Sequence, residues 1–486
     1  MTALPRPTDD LLEVLRAHLG ASGEASIARH PVSEPAIADW CDAIGDSNPC
    51  YTDPDYARTT VHGGLVAPPA ALDIWDRPGL SARPPADDPR GRALEVLTEH
   101  GFTGVVAVNS ELEINRYLRP GDRLQNVQIL EDISPRKHTG LGPGYFITTR
   151  HRYATVTGEH VGDLLFRILR YQPSPRPQDA AVASDPSPDP SPDPSLRPRP
   201  AISRDHQFLW DGYRRRELRI QSCRACGRLS FPPSPSCAGC GGFSMGWIVS
   251  AGRGRLYSYA VPHHPQVAGF RYPLLVGLIE LDEGTRLVAN ITGCPKDRLR
   301  IGMELEVDWL DSHPALVEGA TDSQGPITLP QFRPATPSRR QDTTAVADLA
   351  EDAELPVWGL PVTATRIVAG AVATRDFTEV HHDRALARAR GSLDIFMNIN
   401  TTLGLVERYA TDWAGPQALV TALRVRLGAP AYPGDPLAFT GSVKSVDRVS
   451  GRVTVAVRAA NQFGDHAGAT VELLLPGGAD YPERRG

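Results

Sequence analysis

Apolar residues recur along this chain with several different spacings, and the spacing marks out the elements. After Ser392, the residues Ile395, Ile399, Leu403, Val406, Ala410 and Trp413 recur in steps of three and four. Such steps place side chains on one stripe of a helix, so the spacing predicts a long buried helix here. Strand-like runs follow at 419–427, 437–446, 453–459 and 469–475. Near the other end, residues 144–153 alternate apolar and polar positions, which predicts a strand with one wet face. Short β-rich runs at 255–261, 274–281 and 286–291, separated by Gly-rich turns, predict a small barrel. Leu11, Leu12, Val14 and Leu15 open with an amphipathic start, and β-branched and small residues fill 362–374.

Two stretches break the pattern. Residues 173–203 carry repeats such as Asp185-Pro186-Ser187-Pro188-Asp189-Pro190. A run of this composition cannot build a core and leans toward extended polyproline conformations, so it reads as a spacer. Residues 336–354 read as a second linker. The expected division is therefore a domain at 1–172, a central block at 204–250 and 251–335, and a last domain at 355–478. A chain of 486 residues exceeds one ordinary core, in keeping with several domains.

Composition narrows the class. With 41% hydrophobic and 22% charged residues the chain is that of a globular protein. A net charge of −6 disfavours a protein built mainly to hold nucleic acid. The stretch from Met1 to Glu13 has acids and prolines and no apolar h-region, and no run approaches about 18 uninterrupted apolar residues. Neither a secretory signal nor a membrane span is expected, and the cytoplasm is the expected location. Four of the 7 cysteines lie in paired CxxC spacing, which suits a metal site in a reducing compartment better than a disulfide framework.

The candidate chemistry lies just before the predicted helix. Asp376, His381 and Asp383 stand within Arg375-Asp376-Phe377-Thr378-Glu379-Val380-His381-His382-Asp383. A carboxylate and an imidazole can hold one water between them, one taking a proton while the other gives one. Gly391 and Ser392 then lead toward the helix, whose free N-terminal N–H groups could face an oxygen that gathers negative charge. The plainer reading puts His381 and His382 as exposed polar residues on a turn. A related pattern occurs earlier, in Gly45-Asp46-Ser47-Asn48-Pro49-Cys50-Tyr51-Thr52-Asp53. Asp46 lines up with Asp376, Asp53 with Asp383, and Tyr51 holds the position of His381. A second echo pairs Pro120-Gly121-Asp122 with Pro433-Gly434-Asp435, each placed as a tight turn between strands. The chain thus reads as an internal repeat with a diverged first copy. A phenol of pKa about 10 cannot shuttle protons at neutral pH as an imidazole of about 6.5 can, so the first copy is expected to be catalytically silent. His62 could stand in for the missing imidazole, although a His beside Gly63-Gly64 is more often structural. The basic residues of 144–153 could meet coenzyme A phosphates or simply form a solvated face.

Through Asp376, His381 and Asp383 the last domain resembles the MaoC-like (R)-specific enoyl-CoA hydratases, which have a hotdog fold. Through Asp394-Ile395-Phe396-Met397-Asn398-Ile399-Asn400-Thr401-Thr402-Leu403-Gly404-Leu405-Val406 it is similar to the hydratase subunits of actinobacterial steroid side-chain degradation. Gly45 to Pro49 and Val66-Ala67-Pro68-Pro69 resemble the MaoC-type N-terminal dehydratase domain. The resemblance implies an α+β fold with two hotdog domains paired as a double hotdog. It implies Asp376 and His381 as the catalytic pair, with Gly391, Ser392 and Asn398 on the substrate. The implied substrate is a coenzyme A thioester of a bulky 2-enoyl acid, and the implied assembly is a homodimer.

The central block carries Cys223-Arg224-Ala225-Cys226 and Cys237-Ala238-Gly239-Cys240, with ten residues between the two knuckles. Four thiolates at this spacing fit a closed tetrahedral structural Zn2+ site better than iron or a redox pair. From Phe208-Leu209-Trp210 to Pro330-Gln331-Phe332-Arg333-Pro334 the block resembles the zinc-ribbon-plus-OB-fold family that accompanies acyl-CoA thiolases. That resemblance implies a thiolase-like aldolase as partner, docked through the OB domain. A ribbon with an OB fold also invites a nucleic-acid reading, with Tyr257, Tyr259 and Tyr272 as stacking platforms. The 14 basic residues against 11 acidic between Arg204 and Asp311 give little to support it. The rival to an enzyme is a non-catalytic acyl-CoA-binding scaffold, against which the intact Asp376 and His381 speak.

Overall fold

The computed structural model describes residues 10–77, 79–80, 89–173, 196–312, 327–337 and 339–483. Most of the 173–203 spacer, residues 174–195, lies outside the described residues. The chain forms two compact units, one drawn from within 1–181, 338–356 and 362–486, the other from within 182–337 and 357–361.

The first unit holds both copies of the repeat. Its helices are α1 (Glu34–Ile44), α2 (Pro89–Glu99), α3 (Ala364–Ala373), α4 (Arg384–Ala389) and α5 (Ile399–Ala414). The first copy supplies strands β1 (Gly104–Ile114), β2 (Leu124–Ile133), β3 (Gly142–Thr155) and β4 (His160–Tyr171). The second supplies β13 (Leu419–Leu427), β14 (Leu437–Asp447), β15 (Arg452–Asn461) and β16 (Gly464–Leu474), close to the runs expected from the sequence. The strands form one antiparallel sheet in the order β2-β3-β4-β1-β13-β16-β15-β14. The seam between the copies is the β1–β13 pair, with Leu112 opposite Leu423 and Ser110 opposite Val425. Two helix-wrapping sheets joined edge to edge are the double hotdog.

The backbone repeats its hydrogen bonds, at an offset of 330 residues through the helical part and of 313 residues at the Pro-Gly-Asp turns, because the first copy is longer between them. Met397 N–H donates to Ala431 O as Ala67 N–H donates to Leu118 O, and Phe396 N–H to Val380 O as Val66 N–H to Cys50 O. Gly434 N–H donates to Val362 O as Gly121 N–H donates to Val32 O. Both of these glycines have positive φ (85° and 95°), which is why each Pro-Gly-Asp turn needs one.

The copies differ where the sheet is filled. In the second copy α5 is buried along almost its whole length. Its expected start near Ser392 is corrected: the helix begins at Ile399, because the Asn398 side-chain oxygen caps it by accepting from Thr401 N–H at 2.8 Å. The β-branched run at 362–374 folds as α3, capped by the Thr363 hydroxyl, which accepts from Arg366 N–H. In the first copy the equivalent of α5 is a six-residue 3-10 turn, Pro69–Ile74. Strand β3 also differs from expectation, since only Arg152 of Gly142–Thr155 is exposed and the other face is covered.

The 336–354 stretch is not a free linker from 339 onward. Arg339 ion-pairs with Asp46 at 2.6 Å and Asp412 at 2.5 Å, and all three side chains are under a tenth exposed. Thr344 N–H donates to Ala414 O. Buried charges of opposite sign hold the segment to the body.

The second unit begins with a three-stranded ribbon of β5 (Arg219–Cys223), β6 (Leu229–Ser230) and β7 (Met245–Val249). A five-stranded barrel follows, with β8 (Arg253–Ala260), β9 (Val276–Leu281), β10 (Arg286–Asn290), β11 (Glu304–Ser312) and β12 (Ile327–Pro334) in the order β10-β9-β8-β11-β12. Leu256, Ile279, Leu305 and Phe332 fill its core. Among the described residues no helix is long and apolar enough to cross a membrane.

Gly404 marks where α5 of one copy crosses α1 of the other. A Cβ there would stand 2.9 Å from both Ile44 Cδ1 and Trp40 Cζ2. Gly404→Leu should destabilise the first unit by about 1–3 kcal/mol through overpacking. Thermal unfolding followed by circular dichroism checks this, with exposed Val372→Ala as a neutral control.

Candidate active site

Asp376 and His381 sit on a short turn between α3 and α4. Arg375, just before Asp376, has φ 53°, and Gly45 at the matching position has φ 71°. The left-handed residue turns the chain out of the helix and aims the following carboxylate inward. Asp376 Oδ1 accepts from the Thr378 hydroxyl at 2.7 Å, and Oδ2 accepts from Asn398 Nδ2 at 3.2 Å. His381 is buried, against its reading as an exposed turn residue. Its Nδ1 lies 2.7 Å from Phe396 O. A carbonyl only accepts, so Nδ1 carries the proton and Nε2 presents its lone pair. That Nε2 lies 3.5 Å from Asp376 Oδ2.

The electrostatics keep both groups ready to accept. Burial pushes the Asp376 carboxyl up, but His381, Arg77 and the Thr378 hydrogen bonds outweigh it and leave it below the usual carboxylate range. Burial pushes the His381 imidazole down, and Asp376 only partly offsets this. At neutral pH the carboxylate is ionised and the ring neutral. Two acceptors 3.5 Å apart make no direct hydrogen bond, and one water can donate a proton to each.

The other expected residues lie around this pair. Asn398 donates one amide hydrogen to Thr374 Oγ1 and the other to Asp376, and its oxygen caps α5. Asp383 points away and caps α4 by accepting from Leu386 N–H. Gly391 and Ser392 form the turn after α4, and their N–H groups donate to Arg388 O and Ala387 O. The Ser392 hydroxyl lies 3.3 Å from Tyr432 OH, which in turn is edge-on to Phe396.

The matching place in the first copy is filled. Tyr51 OH donates to Glu407 Oε1 at 3.1 Å, and Ala70 N–H donates to Glu407 Oε2 at 2.6 Å. Glu407 comes from α5 of the other copy and is 1% exposed. Burial pushes its carboxyl up to about 8, with Asp46 raising it further and the Ala70 and Tyr51 hydrogen bonds opposing. Asp46 is taken by Arg339. His62 stacks on Tyr117 and lines a cleft of about 530 Å³ that includes Arg119 and Val420 but neither Asp376 nor His381. Burial lowers its pKa to about 4. Glu407 and Arg339 carry no motif signal of their own. The offset of 330 pairs Glu407 with Arg77 and could have drawn attention to Glu407, whereas nothing in the sequence marks Arg339.

In the ribbon, Cys223, Cys226, Cys237 and Cys240 bring their sulfurs within 4.8 Å of one another. The Cys223–Cys240 and Cys226–Cys237 sulfurs are 3.6 Å apart. A tetrahedral ion with bonds of about 2.3 Å needs sulfur–sulfur edges of about 3.8 Å, so the four thiolates fit Zn2+. Gly239 N–H donates to the Cys237 sulfur, as metal-bound thiolates require.

Family models match three stretches: a FAS1-like dehydratase domain region at 18–164, the ChsH2 rubredoxin-like zinc ribbon domain at 210–246, and the ChsH2 C-terminal OB-fold domain at 247–310. A MaoC-like dehydratase of known structure covers 95% of this chain and 99% of its own, with a TM-score of 0.52 and 16% identity, which shows the shared fold. A probable enoyl-CoA hydratase alpha subunit of Thermomonospora curvata is 40% identical over 68% of this chain and 98% of its own. The 3-oxo-4,17-pregnadiene-20-carboxyl-CoA hydratase of Mycobacterium tuberculosis is matched by both of its subunits. Its alpha subunit is 38% identical over 61% of this chain and 92% of its own, and its beta subunit 53% identical over 25% of this chain and 91% of its own. The chain belongs to the MaoC-like enoyl-CoA hydratase family and joins in one polypeptide the parts that these relatives carry as separate alpha and beta subunits.

Proposed function

We propose that this chain adds water across the double bond of a bulky, steroidal 2-enoyl-CoA, with Asp376 and His381 as the acid–base pair. The observation that carries this reading is the pair itself, an ionised carboxylate and a neutral imidazole 3.5 Å apart on one buried turn. One water donates to both. As its oxygen bonds the β-carbon, one O–H breaks and the proton passes to the pair. The electron pair of the double bond moves toward the thioester oxygen, and the pair then returns a proton to the α-carbon. Water is consumed and both residues end as they began. The developing negative oxygen is taken by the N–H of Asn400 in the first turn of α5. Its counterpart in the silent copy, Ala70 N–H, already holds a carboxylate oxygen. Asn398 keeps Asp376 in place, and Gly391 and Ser392 line the wall beside Tyr432 and Phe396.

A steroidal tail is supported by the substrate for which the Mycobacterium tuberculosis relative is named, 3-oxo-4,17-pregnadiene-20-carboxyl-CoA, and by the six-residue turn that replaces a full helix in the silent copy. Where water adds at a carbon bearing no hydrogen, the product is a tertiary alcohol, which cannot be oxidised to a ketone. Carbon–carbon cleavage is then the next step open to it. The second unit supports a partner for that step. Phe243 is 80% exposed, and Trp247, Val249, Tyr257 and Tyr259 are also exposed on the ribbon and barrel. Such aromatic anchors suit a protein interface, and a thiolase-fold aldolase is the proposed occupant. The ribbon Zn2+ is structural.

Asp376→Asn and His381→Ala should each lower hydration of a steroidal enoyl-CoA by about 10²–10⁴-fold, while Tyr51→Phe stays within a few-fold. Near-native turnover in either variant removes the assignment. Cys226→Ser should lose a stoichiometric Zn2+ by elemental analysis and keep most hydratase turnover, whereas a metal-dependent chemical step would contradict a structural role. Phe243→Asp should abolish capture of a candidate aldolase in a pull-down and leave hydration unchanged. Single-stranded oligonucleotide binding that falls steeply with salt, without aldolase capture, would instead favour a nucleic-acid surface.

A further inference from the structure

The silent copy contributes a charge to the working one. Arg77 follows the short Pro69–Ile74 turn, and its guanidinium ion-pairs with Asp73 at 2.6 Å. The same Asp73 oxygen accepts from Asn400 Nδ2 at 3.3 Å, in the first turn of α5. Asn398, two residues earlier, donates to Asp376. Polar contacts from Arg77 thus reach the first turn of α5 through Asp73, and the residue that caps the same turn holds the Asp376 carboxylate.

The repeat gives this position a meaning. At the offset of 330, Arg77 corresponds to Glu407. Glu407 reaches across from the second copy and fills the vestigial site with a buried carboxyl whose pKa is pushed up to about 8. Arg77 reaches across in the opposite direction with a guanidinium. The repeat thus relates an acid that closes one site to a cation beside the other.

We infer that Arg77 is a positioning residue for the reaction at Asp376 and His381: its guanidinium counterbalances the Asp376 carboxylate and, through Asp73, tethers Asn400 at the start of α5. This rests on the proposed hydration at that pair. The cation bears on both members, favouring the ionised form of Asp376 and the neutral form of His381. The other charged or titratable groups around them are Asp73, Asp76, Tyr153 and His151 toward Arg77, and His382 toward His381; burial pushes the Asp76 carboxyl up to about 6 and Arg77 opposes this.

The test compares Arg77→Gln, Arg77→Lys and Asp73→Asn in the full chain. Removing the cation raises the pKa of Asp376 and of His381, so the acid limb of kcat/KM should move up by about one unit. That shift reads as about ten-fold lower activity on the acid side and a smaller loss on the alkaline plateau. Arg77→Lys keeps the charge and should restore the limb. Asp73→Asn removes the anion that pairs with Arg77 and weakens the tether but keeps the cation, and should leave the limb in place or lower it. The His381 titration midpoint, followed by NMR with His381→Ala as the assignment control, should rise in Arg77→Gln and needs no turnover. If no enoyl-CoA is hydrated yet the midpoint rises, the hydratase reading fails and the Arg77 coupling stands. A folded Arg77→Gln protein with limb and midpoint unmoved overturns the inference. So does a folded Arg77→Lys that fails to restore the limb, or an Asp73→Asn that moves limb and midpoint as Arg77→Gln does.

Discussion

A helix buried on every side must find a partner for each polar group it carries, and α5 is such a helix. Its first turn cannot be finished by water, so Asn398 finishes it. The same amide, fixed by that duty, has two hydrogens left, and they go to Thr374 and Asp376. The Asp376 carboxylate, the proposed acid–base group, is thus held by the residue that starts the helix. Further along, Thr402 meets His466, Glu407 meets Tyr51 and Ala70, and Asp412 meets Arg339 and Arg408. Packing of the sheet around α5 and placement of the chemistry are one constraint.

That constraint also accounts for the asymmetry between the copies. The first copy keeps the turn, the left-handed residue, the Asp and the backbone hydrogen bonds, and replaces the imidazole with a phenol. An open pocket lined by Asp46 and Tyr51 would leave a buried carboxylate without a counter-charge, which costs several kcal/mol. Arg339 supplies the counter-charge, and the Glu407 carboxyl fills the remaining space and pairs with the Tyr51 hydroxyl and the Ala70 N–H. Arg339 also explains why the segment after the barrel belongs with the hydratase body.

Much was legible in the sequence because short motifs carry their own geometry. An Asp and a His five positions on mark a turn. Two CxxC knuckles specify four converging thiolates. Pro-Gly-Asp between strands specifies a tight turn, and the four last strands follow from their apolar runs. In each case the physical information is local, since the residues that define the feature lie within a few positions of one another.

What remained hidden was set by residues far apart in the chain. The apolar stripe from Ile395 pointed to a helix, but its start depended on Asn398 turning inward to cap, which periodicity cannot register. Gly391 and Ser392 were expected to lead straight into the helix, and only the fold shows them closing α4, whose carbonyls accept their N–H groups. Strand β3 alternates as though one face were wet, yet nearly all of it is covered. Arg339 looked like part of a polar linker until Asp46 and Asp412, one far upstream and one downstream, came to either side of it. The sequence by itself determined the repeat, the thiolate cluster and the Asp376 and His381 that the fold brings together. Only the tertiary structure decided which charges meet across the two copies, because a buried ion pair is defined by the partner that folding delivers and neither residue announces the other.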